Sequence, residues 1–169
     1  MKKTHILTFL FLPLTIFSQE MKTDWANINR YSKENQILKT EDNKDNRVVF
    51  MGNSITEGWK INDPEFFSKN NYVNRGIGGQ TTSQMLVRFR PDVIDLKPKL
   101  VVILAGINDI AQNNGPIELQ DIFGNIVSMV ELAKANTIKV ILSSVLPAND
   151  FPWKKGMEPA EKIIELNKM

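Results

Sequence analysis

Three short glycine-bearing stretches hold side chains able to do chemistry: Gly52-Asn53-Ser54-Ile55-Thr56, Gly76-Ile77-Gly78-Gly79-Gln80-Thr81 and Gly106-Ile107-Asn108-Asp109. Acyl transfer requires a hydroxyl nucleophile, and donors aimed at the oxygen that turns negative in the tetrahedral intermediate. Ser54 supplies the hydroxyl, and at a strand-to-helix turn its own N–H can point at the same oxygen. Gly79 has no Cβ to keep a substrate away from its N–H. The Asn108 carboxamide can furnish a third donor. Each stretch also has an ordinary alternative. Ser54 could simply cap a helix, Gly76 to Gly79 could be a tight turn, and Asn108-Asp109 an Asx-turn. Their occurrence together, each after an apolar run, favours chemistry.

The elements that must position these stretches are legible as runs and periods. Val48-Val49-Phe50-Met51 is a short apolar run ending at Gly52 and reads as a buried strand. Tyr72-Val73-Asn74 is a weaker one. Leu100 to Leu104 is continuous, rich in β-branched residues and bounded by Pro98 and Gly106, which marks a central strand. Val140-Ile141-Leu142 begins a fourth that ends near Pro147. Between them, Thr81 or Thr82 can cap a helix carrying Met85, Leu86 and Phe89 and stopping near Pro91. Pro116 is expected to open another, with Leu119, Ile122, Phe123, Ile126, Val127 and Val130 on one stripe. Trp25, Ile28 and Tyr31 have helical spacing near the start, and Glu158 to Met169 is read as a last helix.

Strict alternation of strand and helix means a parallel sheet with helices on both faces, an α/β fold of three layers. Such sheets bind ligands outside the carboxyl ends of their strands. Three of those ends carry the three stretches.

The three stretches, in this order, resemble the SGNH-hydrolase (GDSL-like lipase/acylhydrolase) superfamily. Phe50-Met51-Gly52-Asn53-Ser54-Ile55-Thr56-Glu57-Gly58-Trp59 is similar to its first sequence block, Asn74-Arg75-Gly76-Ile77-Gly78-Gly79 to its second, and Gly106-Ile107-Asn108-Asp109 to its third. The resemblance covers about Val48 to Met169. It implies a flavodoxin-like sheet of strand order 2-1-3-4-5, Ser54 as nucleophile, and an oxyanion hole from Ser54, Gly79 and Asn108. It also implies a small ester as substrate: an acetylated carbohydrate, a short acyl ester or a lysophospholipid.

Two departures stand out. Asn53 occupies a place where the first block usually carries aspartate. More seriously, the Asp-x-x-His block that gives the family its triad acid and base has no counterpart, and the single histidine is His5. The expectation is a domain over residues 19–169 that lacks its last strand and closing helix and is nearly inert as written. A non-catalytic carbohydrate-binding relic on the same fold is the alternative.

Lys2 and Lys3 precede an apolar run from Ile6 to Phe17, with Ser18 before Gln19, the pattern of a cleavable signal peptide over residues 1–18. That run is shorter than the ~20 apolar residues a bilayer span requires. A cleaved signal and a secreted or periplasmic protein are therefore expected, with an uncleaved anchor as the rival reading. The 21 basic and 19 acidic residues become 19 of each once Lys2 and Lys3 leave with the signal. A neutral chain with dispersed charge gives no electrostatic reason to expect nucleic acid. The sequence contains no cysteine, which excludes a disulfide framework and a thiolate metal site. The glycines lack the G-x-G-x-x-G spacing of a dinucleotide site, Thr56 departs from the G-x-S-x-G elbow, and no H-E-x-x-H or EF-hand pattern occurs. Neither cofactor nor metal is expected. Trp59, Phe66, Phe67, Phe151 and Trp153 could line an acyl or sugar site, with packing the plainer role for such rings.

Overall fold

The computed structural model of the chain describes residues 24–41 and 46–169. The segment read as a signal peptide, 1–18, lies outside the described residues.

Four parallel strands form one sheet in the order β2-β1-β3-β4: β1 (Val48–Gly52), β2 (Tyr72–Gly76), β3 (Leu100–Leu104) and β4 (Lys139–Leu142). Val48 lies between Tyr72 and Leu100, and Gly52 between Gly76 and Leu104, so three strands end in register. Their carboxyl ends therefore form one level edge, and the three glycine-bearing stretches leave from it.

The expected layers follow from side-chain alternation along β1. Val49 and Met51 face a core completed by Val101, Ile103, Met85, Phe89, Val93, Met129 and Ala133. Phe89 and Met85 come from α4 (Thr82–Asp92), Met129 and Ala133 from α6 (Leu119–Ala135). Phe50 points the opposite way, into Trp59 of α2 (Ser54–Asn62) and Phe66 and Phe67 of α3 (Pro64–Ser68). Two helical layers thus sandwich the sheet. The rings of Trp59 and Phe66 stack at 4.5 Å, and Tyr72 joins them. These aromatics pack the α2–α3 layer; the packing reading of them holds.

Several boundaries differ from expectation. The Trp25–Tyr31 segment is a short 3-10 turn, Ile28–Tyr31, leading into α1 (Ser32–Thr40). Asn27 sits in the left-handed region at φ 52°, and the Asp24 carboxylate accepts from the N–H groups of Ile28 and Asn29, so no helix can run back through Trp25. The helix α4 does stop near Pro91, ending at Asp92 one residue beyond it. The long helix α6 begins at Leu119, not Pro116, because Glu118 is still extended (φ −78°, ψ 149°). The last helix, α7 (Ala160–Leu166), is shorter than the 158–169 expected.

A buried polar network ties the amino-terminal segment to the glycine-rich loop after β2. The Arg75 guanidinium donates to Asn35 Oδ1 at 2.7 and 3.0 Å, and Asn35 Nδ2 donates to Asp92 at 2.7 Å. Arg88 donates to Asp92 at 2.8 Å, to the Gln80 side chain at 2.5 Å and to the carbonyls of Gly52 and Arg75. Both arginines are fully buried. Burial holds both guanidinium groups below the ordinary arginine pKa, with Asp92 acting in the opposite direction.

Candidate active site

Asn53 follows β1 in an extended conformation and caps α2, its Oδ1 accepting from Ile55 N–H at 3.1 Å. Capping is thus done by Asn53, not Ser54. Ser54 is left as the first helical residue, exposed at the sheet edge.

The loop after β2 lies directly against this serine. Gly76 makes the approach possible: a Cβ there would stand 2.2 Å from Glu57 N and 2.8 Å from Asn53 O. Any side chain at Gly76 would push the loop off the first turn of α2. A Cβ placed on Gly78 would be 3.9 Å from the Ser54 Cβ, which fixes how near the loop passes. Ile77 to Gln80 then form a turn, with Gln80 N–H reaching the Ile77 carbonyl at 3.4 Å. Gly79, its third residue, has φ 74°, a value glycine tolerates and β-branched residues do not.

The third stretch closes on the same loop. Asn108 lies in α5 (Ile107–Ile110), and its Nδ2 donates to the Gln80 carbonyl at 2.9 Å while the residue itself is buried. A carboxamide has two N–H donors, and the bond that anchors Asn108 takes one of them. The neighbouring Asp109, 1% exposed, accepts from Thr82 N–H at 2.9 and 3.0 Å and from the Thr82 hydroxyl at 2.6 Å. Burial raises the Asp109 pKa above the ordinary 3.8, against the lowering effect of the Thr82 bonds. Asn113 Nδ2 donates to the Gly79 carbonyl at 3.1 Å. Ser54, the Gly78–Gly79 turn and Asn108 are therefore linked through one loop, although they lie far apart in sequence.

Several residues of this assembly were not singled out by sequence reasoning. Glu57 Oε2 accepts from Gly78 N–H at 2.8 Å, and its other oxygen pairs with Arg30 at 3.3 Å. Gln80, Thr82 and Asn113 act as braces. The only signal available for Glu57 was its place three residues after Ser54, which puts both on one face of α2. Phe151 is buried and stacks on Trp153, whose ring is exposed on the segment after β4. Lys154 Nζ fastens that segment to the Ala111 carbonyl at 2.8 Å. Among the described residues, no group of three or more histidine, cysteine or acidic side chains is arranged to hold a metal. No described helix is long and apolar enough to cross a membrane.

Comparison with known proteins converges on one family. The model of the GDSL-like lipase/acylhydrolase family matches residues 50–169. A Bacteroides fragilis protein assigned as an acylhydrolase superposes with TM-score 0.84 at 57% identity, over 87% of this chain and 71% of its own. A GDSL-like lipase from Bacteroides thetaiotaomicron gives 0.82 and 56%, over 85% and 70%. The human platelet-activating factor acetylhydrolase IB subunit alpha2 is 28% identical over 130 residues, 72% of this chain and 53% of the relative. The chain spans about half the length of that curated relative.

Proposed function

Because the chain belongs to the GDSL-like lipase/acylhydrolase family, we propose that it carries the nucleophile and oxyanion donors of a serine ester hydrolase acting through an acyl-serine intermediate. Ser54 attacks the ester carbonyl. Its own N–H, the Gly79 N–H and the second N–H of the Asn108 amide receive the oxygen as it becomes negative. The alcohol leaves, and water then releases the acid. The observation that carries this reading is the Asn108-to-Gln80 bond at 2.9 Å, which holds a carboxamide against the loop that passes over Ser54.

The substrate class is a carboxylic ester: an acetyl group on a carbohydrate, a small acyl ester or a lysophospholipid-type ester. The acetylhydrolase name of the human relative supports the acetyl end of that range. Export by a cleavable segment over residues 1–18 is part of the same proposal, and secreted material should begin at Gln19. Residues 6–169 contain no histidine to serve as the general base that the family resemblance implies for Ser54. That observation favours a second reading, a carbohydrate-binding protein on this fold without turnover.

The two readings separate on p-nitrophenyl acetate hydrolysis by the protein expressed from its whole reading frame. Turnover that falls by about 10⁶ in Ser54→Ala supports the enzyme, a loss typical of removing a catalytic serine. Turnover equal in both proteins removes Ser54 from the mechanism. No turnover, with acetylated oligosaccharide binding unchanged by Ser54→Ala, supports the second reading.

A further inference from the structure

We propose that Glu57 is a positioning residue that selects which amide of the glycine loop meets the oxyanion. The inference rests on the ester-hydrolase reading above. Two consecutive glycines, Gly78 and Gly79, lie at the turn beside Ser54, and either N–H could in principle rotate toward the substrate. Glu57 Oε2 takes the Gly78 N–H at 2.8 Å. On the far side, Asn113 Nδ2 takes the Gly79 carbonyl at 3.1 Å. With one peptide group held by its N–H and another by its C=O, the Gly79 N–H between them is the donor left to face Ser54.

The placement of Glu57 suits this task. It stands one helical turn after Ser54, on the same face of α2. Its Oε2 lies 3.1 Å from where a Gly78 Cβ would be, and the Ser54 Cβ lies 3.9 Å from that same point. A carboxylate so close to a developing oxyanion repels it. Arg30, paired with Oε1 at 3.3 Å, offsets part of that charge. The device is therefore a hydrogen bond with an unwanted charge attached, and glutamine at this position should keep the first while discarding the second.

Glu57→Ala and Glu57→Gln are compared with the parent, all expressed from the whole reading frame. Amide exchange is read at Gly78 by ¹⁵N NMR, and kcat and KM with p-nitrophenyl acetate. Losing a hydrogen bond to a charged acceptor predicts about tenfold faster Gly78 exchange and about tenfold lower kcat in Glu57→Ala, with KM unchanged. Glu57→Gln should restore both to within about twofold of the parent. Unchanged Gly78 exchange in Glu57→Ala overturns the proposal. So does a Glu57→Gln protein as impaired as Glu57→Ala. Ser54→Ala separates the two readings: if it turns over like the parent, the esterase reading fails, whereas an inactive Ser54→Ala beside a fully active Glu57→Ala sinks only the positioning role.

Discussion

The two sides of the sheet are built on different principles. At the β2–β1 side, the strand ends are surrounded by buried polar groups: Arg75, Arg88 and Asp92 are 0% exposed, and Asn35 and Gln80 nearly so. At the β4 side, apolar groups face solvent instead, with Ile141 50%, Leu142 54% and Leu146 55% exposed. The first arrangement costs desolvation and is stable only when every partner is present. In return it allows few alternative geometries. It is the side that holds the glycine loop and Ser54. The second side contributes hydrophobic packing: Val145, Ile163 and Leu166 cluster with Ile110 and Ala111, against the short helix that carries Asn108. The glycine loop beside Ser54 is thus braced by hydrogen bonds, and the helix of Asn108 is seated by apolar packing as well.

The largest expected break in this contrast comes from the buried ion pair. Asp92→Ala leaves Arg88 uncompensated in the interior and should cost about 3–5 kcal/mol, read by urea denaturation. A cost like that of a surface substitution would mean the network is not what holds the loop. Asn108→Ala tests the site the network serves. It should lower kcat for p-nitrophenyl acetate by roughly 10²–10³, the usual loss for one oxyanion donor.

Asp109 sharpens the comparison through pH. Its pKa is raised in the fold by burial. The folded state therefore holds the proton more tightly, and the associated stability is complete below the ordinary 3.8 and lost as pH rises through the raised value. An asparagine at this position does not ionise, so the stability of Asp109→Asn relative to the parent should improve over that window. A pH-independent difference in thermal melting would contradict this account. The smallest effect belongs to the open side. Leu142→Lys should change stability by no more than about 0.5 kcal/mol. It should also reduce self-association in sedimentation, since exposed apolar strand edges promote it.

Much of the frame was readable from local pattern. Leu100–Leu104 is bounded in the structure where its run is bounded in the sequence, because a buried parallel strand leaves a continuous apolar signature. The order of the three stretches along the chain was enough to place them at one edge. What stayed hidden is non-local. Gln80 Nε2 donates to the Ala26 carbonyl across 54 positions, and Tyr31 donates its hydroxyl to the Gly76 carbonyl across 45. No periodicity encodes such bonds. The start of α6 was misplaced for a local reason: proline suits a first helical position, yet Pro116 is followed by an extended Glu118. Trp59, Phe66 and Phe67 had two possible uses, and only their mutual stacking decides between them.

The most direct measurement is a crystal structure of the protein with a small phosphonate ester attached to Ser54. The account predicts the phosphoryl oxygen within about 2.7–3.1 Å of three donors, Ser54 N, Gly79 N and Asn108 Nδ2. A phosphonate on another residue, or one whose oxygen points to solvent with Gly79 and Asn108 out of reach, would contradict it.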